Sequence, residues 1–229
     1  MEKIENKQLL KATKNFEEIC NSKNFKFKYL DDWLFTKSTL FKSEINSKKK
    51  KNYKVYPRGT IVYAKLGVNI GSEFSGNHFC IVLNRKDHKG NELITVVPLT
   101  SKSTKFSLLL PENIVEKALE KMEKDSNSLR HDLKKIVKMH KSSIDTEITN
   151  PELEAELDKI EKNYSELIKI IDRYERFIGK QTYAIPSQVH TISKKRVSTI
   201  NKYDPTGHIS FSKTTLKVIE DFIRINLLA

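Results

Sequence analysis

Six histidines, at positions 78, 88, 131, 140, 190 and 208, hold most of the proton chemistry open to this chain near neutral pH, because imidazole changes charge there without help. None falls into HExxH or HxH spacing, so no metal ligands and no cofactor are predicted. Cys20 and Cys80 lie far apart with no CxxC pattern, which argues against a disulfide framework or a thiolate zinc site and suits a reducing compartment. GxxxxGK[ST], GxGxxG and GxSxG are absent. An NTPase, a dinucleotide enzyme and an α/β hydrolase are therefore disfavoured. What remains is the stretch 58–84 followed by 94–102, where histidine, carboxylate and hydroxyl groups stand between short apolar runs.

Those runs predict the positioning elements. Segments 59–68, 79–87 and 92–101 are β-branched and separated by turn residues, and 182–193 and 207–211 resume the pattern. Between them, residues 111–180 read as two long helices. Val115, Leu119, Met122, Ser126, Leu129, Leu133, Ile136 and His140 follow a heptad seam; Leu153, Leu157, Ile160, Tyr164, Leu167, Ile171, Tyr174 and Ile178 form a second. Asn150 before Pro151 marks the second helix start. The predicted fold class is α+β: a small barrel at 57–110 and 181–229, interrupted by a coiled-coil helical hairpin at 111–180. Helices of about 30 residues would make an arm some 45 Å long. A structural strut or dimerisation device is the plain reading of that arm, a substrate-gripping or partner-specific role the alternative; excising 112–178 is expected to leave the barrel folded. A C-terminal helix from Ser212 to Leu227 closes the barrel, with Ser212 as its cap. Residues 1–56 read as two helices and a basic linker, the lysine run 48–51 being a solvated linker or a phosphate contact aided by Tyr53 and Tyr56.

The chain has 229 residues and a net charge of +13. Residues 1–56 carry 14 basic and 7 acidic groups, 57–110 carry 7 and 3, 111–180 carry 14 and 16, and 181–229 carry 7 and 3. The positive field thus lies outside the arm and favours a polyanionic partner without choosing among RNA, DNA, an acidic membrane face and an acidic protein. No run of about 18 apolar residues occurs, and the N-terminus has charge where a secretory core would be, so a soluble cytoplasmic protein with no membrane partner is predicted.

Arg58-Gly59-Thr60-Ile61-Val62, Gly71-Ser72-Glu73-Phe74-Ser75-Gly76, Val97-Pro98-Leu99-Thr100-Ser101 and the segment 184–193 occur in that order. Together they resemble the PemK/MazF toxins of bacterial toxin–antitoxin modules, over about half the chain. The resemblance implies an SH3-like barrel, usually dimeric, that cuts single-stranded RNA without metal. The adjacent ribose 2′-hydroxyl attacks the phosphate, leaving 2′,3′-cyclic phosphate and 5′-hydroxyl ends. It also implies an acidic antitoxin partner whose disordered segment folds into the RNA groove.

The sequence departs from the family at one position that matters. Where the family carries Gly-x-Arg-Pro, this chain has Gly76-Asn77-His78-Phe79, placing His78 at the catalytic arginine position. Imidazole is the better general acid or base at neutral pH. His190, where the family has a basic residue, is its candidate counterpart. Glu73 would orient a histidine or pair with a base, and Thr100 would donate to a phosphate oxygen. Asn77, Ser101, Ser187, Gln188 and Arg58 are candidate RNA contacts. Each also has a structural reading: a packed histidine, a loop-capping carboxylate, a strand-end hydroxyl, a surface charge. A non-cleaving relative that binds RNA or a protein target, in the manner of gyrase-poisoning relatives, is the alternative function.

Overall fold

The structure, a computed structural model, describes residues 6–46, 52–141 and 151–228. The lysine run 48–51, Asn150 and the side chain of His140 fall outside the described residues. The elements in order are α1 (Lys7–Asn21), α2 (Leu30–Asn46), β1 (Ile61–Gly67), β2 (Gly76–Val82), β3 (Leu93–Thr100), β4 (Leu108–Leu109), α3 (Ile114–Lys141), α4 (Pro151–Glu175), β5 (Tyr183–Ala184), β6 (His190–Ser193) and α5 (Lys213–Leu227). The fold is mixed α and β with an antiparallel sheet. No helix among the described residues is long and apolar enough to cross a membrane.

The sheet runs β1-β2-β3-β5-β4, and β6 also pairs with β3. Val97 lies opposite Ile81, and Ile94 opposite Ile192. After β6 the chain turns back to β1: Ala64 bridges Val197, Ser198 N–H donates to the Tyr63 carbonyl at 2.9 Å, and Arg196 Nε donates to the Lys65 carbonyl at 2.8 Å. Successive residues point to opposite faces of a strand, and here both faces are apolar. Ile61, Phe79, Ile81, Val97 and Leu99 enter one buried cluster; Val62, Ala64, Cys80, Val82, Ile94, Val96 and Ile192 enter a second with Tyr56.

Three expected strands change at their ends. The segment 182–193 is two strands separated by a 3-10 turn at Pro186–Gln188, because Pro186 has no N–H for the ladder. β2 begins at Gly76, so His78 sits on a strand that starts earlier than the apolar run suggests. The segment 207–211 forms one bridge, Thr60 with Ser210. Its backbone instead clasps the start of β1, with Gly207 N–H donating to Ile61 at 2.6 Å and Ile61 N–H to Ile209 at 2.9 Å.

Helices α3 and α4 meet the first cluster at their sheet ends. The Ile114 N–H donates to Thr182 Oγ1 at 3.1 Å and Leu110 N–H to the Thr182 carbonyl at 3.0 Å, so the start of α3 lies beside the chain just past α4. Ile114, Ala118, Met122, Leu167, Ile170 and Tyr174 share a core with Ile61, Phe79 and Leu99. Excising 112–178 would therefore uncover part of this face and leave its cover to Ile209, Phe211 and α5, a cost that the expectation of a removable arm did not include. The predicted seams hold at one position per heptad, with Val115, Met122, Leu129 and Ile136 of α3 and Ile160, Leu167 and Tyr174 of α4 buried; at the other position Leu119, Leu157 and Ile171 are over 40 % exposed, and Ala118 and Ile170 are wholly buried instead. A strict heptad stripe drifts around a straight helix, and the face that packs is set by the sheet and the neighbouring helix together.

At the far end, the Ser212 hydroxyl accepts the Thr215 N–H, capping α5 as its sequence position suggests. Glu112, at the entry to α3, accepts the Ser212 N–H at 2.7 Å and the Thr215 hydroxyl. Burial would raise its pKa, but these bonds hold it down to about 2, and its charge complements the N-terminus of α5. The N-terminal helices attach through Trp33. A Cβ on Gly67, whose φ is +86°, would run into the Trp33 ring, and the Arg196 guanidinium lies 5.2 Å from that ring's centre.

The burial of Ile170 beside an exposed Ile171 predicts a contrast between adjacent isoleucines. Ile170→Ala should lose about 2–5 kcal/mol in urea unfolding, and Ile171→Ala about 0.5 kcal/mol or less. Equal losses would restore the heptad assignment.

Candidate functional site

The loop between β1 and β2 is tied down by its own polar groups. Asn69 Nδ2 donates to the Phe74 carbonyl at 2.8 Å, and the Ser75 hydroxyl accepts the Asn69 N–H at 3.0 Å. Positive φ at Gly71 and Gly76 allows the reversal. Gln188 fastens the loop from outside, accepting the Phe74 N–H and donating to the Ser72 carbonyl, both at 3.4 Å. Lys26, between α1 and α2, donates to the Gly71 carbonyl at 2.6 Å.

This loop forms one lip of a cleft of about 590 Å³. Asn77, His78, Thr100, Ser101, Ser187 and Gln188 all line it. Six of the nine candidate residues thus meet at one place, brought from β2, the end of β3 and the turn after β5. Thr100 Oγ1 accepts the Lys102 N–H at 3.1 Å, which leaves its own proton available to a ligand oxygen. Ring Nε2 of His78 lies 3.0 Å from the Ser75 carbonyl, and the Phe74 ring centre lies 4.4 Å from that of the imidazole, the two planes tilted by 57°. Burial lowers the His78 pKa, opposed by hydrogen bonds to the Ser75 and Leu99 carbonyls.

The other three candidates lie elsewhere. Arg58 is ion-paired with Glu220 on α5. Glu73 lines a separate groove of about 460 Å³ with Trp33 and Arg196. His190 pairs with Val96, which pairs with Val82, four residues along β2 from His78. That offset is about 13 Å along the strand direction, beyond the reach of one phosphate. The His190 Nε2 is buried without a hydrogen-bond partner among the described residues. Burial lowers its pKa, the Arg196 charge lowers it further, and Glu73 opposes both.

The cleft also contains residues that sequence reading passed over. Lys102, Phe106, Arg176, Phe177 and Lys180 line it, beside Tyr63 and Phe79. The alternation Arg176-Phe177-Ile178-Gly179-Lys180 was a usable signal, a cation and an aromatic interleaved where the arm rejoins the sheet. The arm's net acidity concealed it. Tyr56, which had suggested a phosphate contact beside the lysine run, is 5 % exposed and belongs to the second core. Among the described residues no three His, Cys, Asp or Glu side chains converge to hold a metal.

The histidines predict an acid-labile fold. His78, His190 and His208 all have lowered pKa values, each first through burial. The unfolded chain then binds more protons than the native one below about pH 6.5. Stability should be level above pH 7 and fall as the pH drops from about 6.5 to 5, read by urea midpoints. A flat profile, or His78→Gln leaving the slope unchanged, would contradict the burial of that ring.

No curated protein matches the chain. Residues 57–171, from the entry to β1 through most of α4, match a family described as the PemK-like, MazF-like toxin of type II toxin-antitoxin system. The match includes β1, β2, β3 and the loop that carries Glu73 and His78, and it stops short of the segment 184–193. With half of the chain matched across these elements, the protein belongs to the PemK-like, MazF-like toxins of type II toxin–antitoxin systems.

Proposed function

We propose that the chain is an endoribonuclease toxin that cleaves single-stranded RNA in the cleft holding His78 and Thr100, without a metal ion. The observation that carries this reading is the convergence of an imidazole, several hydroxyls, aromatic rings and cations in one cleft. Aromatic faces with nearby positive charge suit unpaired bases and their phosphates. In this reading the 2′-hydroxyl oxygen attacks phosphorus and the bond to the 5′-oxygen breaks. His78, neutral at pH 7, takes the 2′-proton, and solvent protonates the departing 5′-oxygen. Thr100 and Ser101 donate to the non-bridging oxygens as charge grows there. Asn77 and Ser187 contact RNA, while Gln188 holds the lip. Glu73 belongs to the neighbouring groove and acts on His190 only through its charge. Arg58 serves the docking of α5.

The barrel of this reading is the sheet with α5, at 57–110 and 181–229; the arm at 111–180 and the helices of 1–56 are additions to it. An acidic antitoxin is the expected protein partner, matched to the +13 charge, and a homodimer follows the family habit. A second reading has its own observation. The hydrogen bond of His78 to the Ser75 carbonyl is also what a purely structural histidine would make, and a non-cleaving binder would need nothing more of it.

Incubating the purified protein with a mixed single-stranded RNA pool in EDTA tests the proposal. Wild type should leave 2′,3′-cyclic phosphate ends. His78→Ala should slow cleavage about 10²-fold or more, and Thr100→Val by about 10²-fold. Rates should hold down to below pH 6.5 before falling, because the His78 pKa is lowered. Equal rates in wild type and His78→Ala would remove His78 from the chemistry. Intact RNA in every lane, with binding retained, would establish the non-cleaving reading.

A further inference from the structure

We propose that the root of the helical arm is an RNA-backbone-binding wall, in which Arg176 and Lys180 contact phosphates on either side of the cleft's reacting position. The inference rests on the reading that the cleft takes RNA, and it assigns the arm a part in substrate binding that strand motifs do not supply.

Three observations carry it. First, the position is built. Helix α4 ends at Glu175, and the turn that follows is closed by Phe177 N–H on Tyr174 at 2.9 Å and Lys180 N–H on Phe177 at 3.1 Å. Gly179 takes φ +73°, and Asn113 Nδ2 donates to the Lys180 carbonyl at 2.6 Å. The backbone bearing both cations is thus fixed to the start of α3.

Second, Phe177 stands against Phe79, with ring centres 5.6 Å apart, next in sequence to His78. The Arg176 guanidinium and the Lys180 ammonium lie 4.9 and 5.8 Å from the centre of this one ring. Two like charges are therefore gathered beside the cleft, held by the ring's negative face.

Third, neither cation has a carboxylate within ion-pair distance among the described residues. Arg173, at the end of α4 just before this turn, does: Asp204 is 3.5 Å away and Tyr63 lies beneath its guanidinium at 3.9 Å. The arm as a whole has more acidic than basic groups, so two uncompensated cations at its root are a local feature. An anion arriving between them would relieve their repulsion. A phosphate chain running past His78 and Thr100 is the anion the cleft's other groups are suited to.

The test uses the full chain and a fluorescein-labelled single-stranded 2′-O-methyl RNA of mixed sequence, which lacks the attacking hydroxyl and cannot be cut. Binding is followed by anisotropy from low to moderate salt. Arg176→Gln/Lys180→Gln should weaken binding at least tenfold at low salt. It should also flatten the slope of log K against log salt by about 1.4, two contacts at roughly 0.7 each for a single strand. Lys159→Gln/Lys162→Gln, an equal charge change on exposed positions of α4, should leave both quantities near wild type. Arg176→Lys, keeping the charge, should recover most of the loss at that position. Equal weakening in the two double variants would overturn the inference and leave only net charge. Unchanged binding in Arg176→Gln/Lys180→Gln, with wild type binding, would also overturn it while sparing the RNA reading. Failure of wild type to bind would overturn both.

Discussion

A sheet whose strands are apolar at nearly every position has no face to give to water. Ile61 to Ala64, Phe79 to Val82 and Ile94 to Leu99 place hydrophobic side chains alternately on both sides, and the pleat sends each set to a different core. One set is satisfied by the sheet itself, because the chain after β6 returns to β1 and brings Ile192 and Val197 with it. The other set needs a cover from elsewhere. Helices α3, α4 and α5 supply it, and the rest of the architecture follows from that requirement.

The same requirement positions the cleft. Where Phe79 and Leu99 reach the end of the sheet, the cover is the root of the arm, and His78, Thr100 and Phe177 all line the groove there. Hydrophobic burial fixes the distance between walls whose exposed tips are polar and cationic. Rigid backbone supports the tips: the bonds of Asn113 to Lys180 and of Gln188 to the β1–β2 loop tie three distant parts of the sequence to one rim. A site on such supports loses little entropy in ordering its groups when a flexible strand arrives.

Charge is divided by a parallel logic. Deeply buried ions are paired, as Lys194 and Asp87 are at 2.7 Å, with Tyr56 N–H and Asn91 also bonded to the aspartate. Arg196 spends its donors on the Lys65 and Leu66 carbonyls. These cations contribute to the formal charge of the chain yet present little field to a partner. The cations at the cleft rim keep theirs, which is why a total of +13 is a poor guide to where an anion binds.

Residue patterns alone determined the apolar strands, both arm helices, the Ser212 cap and the family motifs, since each depends on neighbours within a few residues. His78, Thr100, Ser101, Asn77, Ser187 and Gln188 were legible as candidates for the same reason, lying in short motifs beside strands. Tertiary structure decided which of them share a cleft. It parted His190 from His78 through strand register, turned Glu73 outward beside Trp33, and gave Arg58 to Glu220. It also chose Ala118 and Ile170 over Leu119 and Ile171, and brought Arg176 and Lys180 to His78 from about a hundred residues away. Periodicity records what a segment can bury. The surface it is buried against, and so which of its polar tips meet a partner from another segment, exists only once the chain has folded.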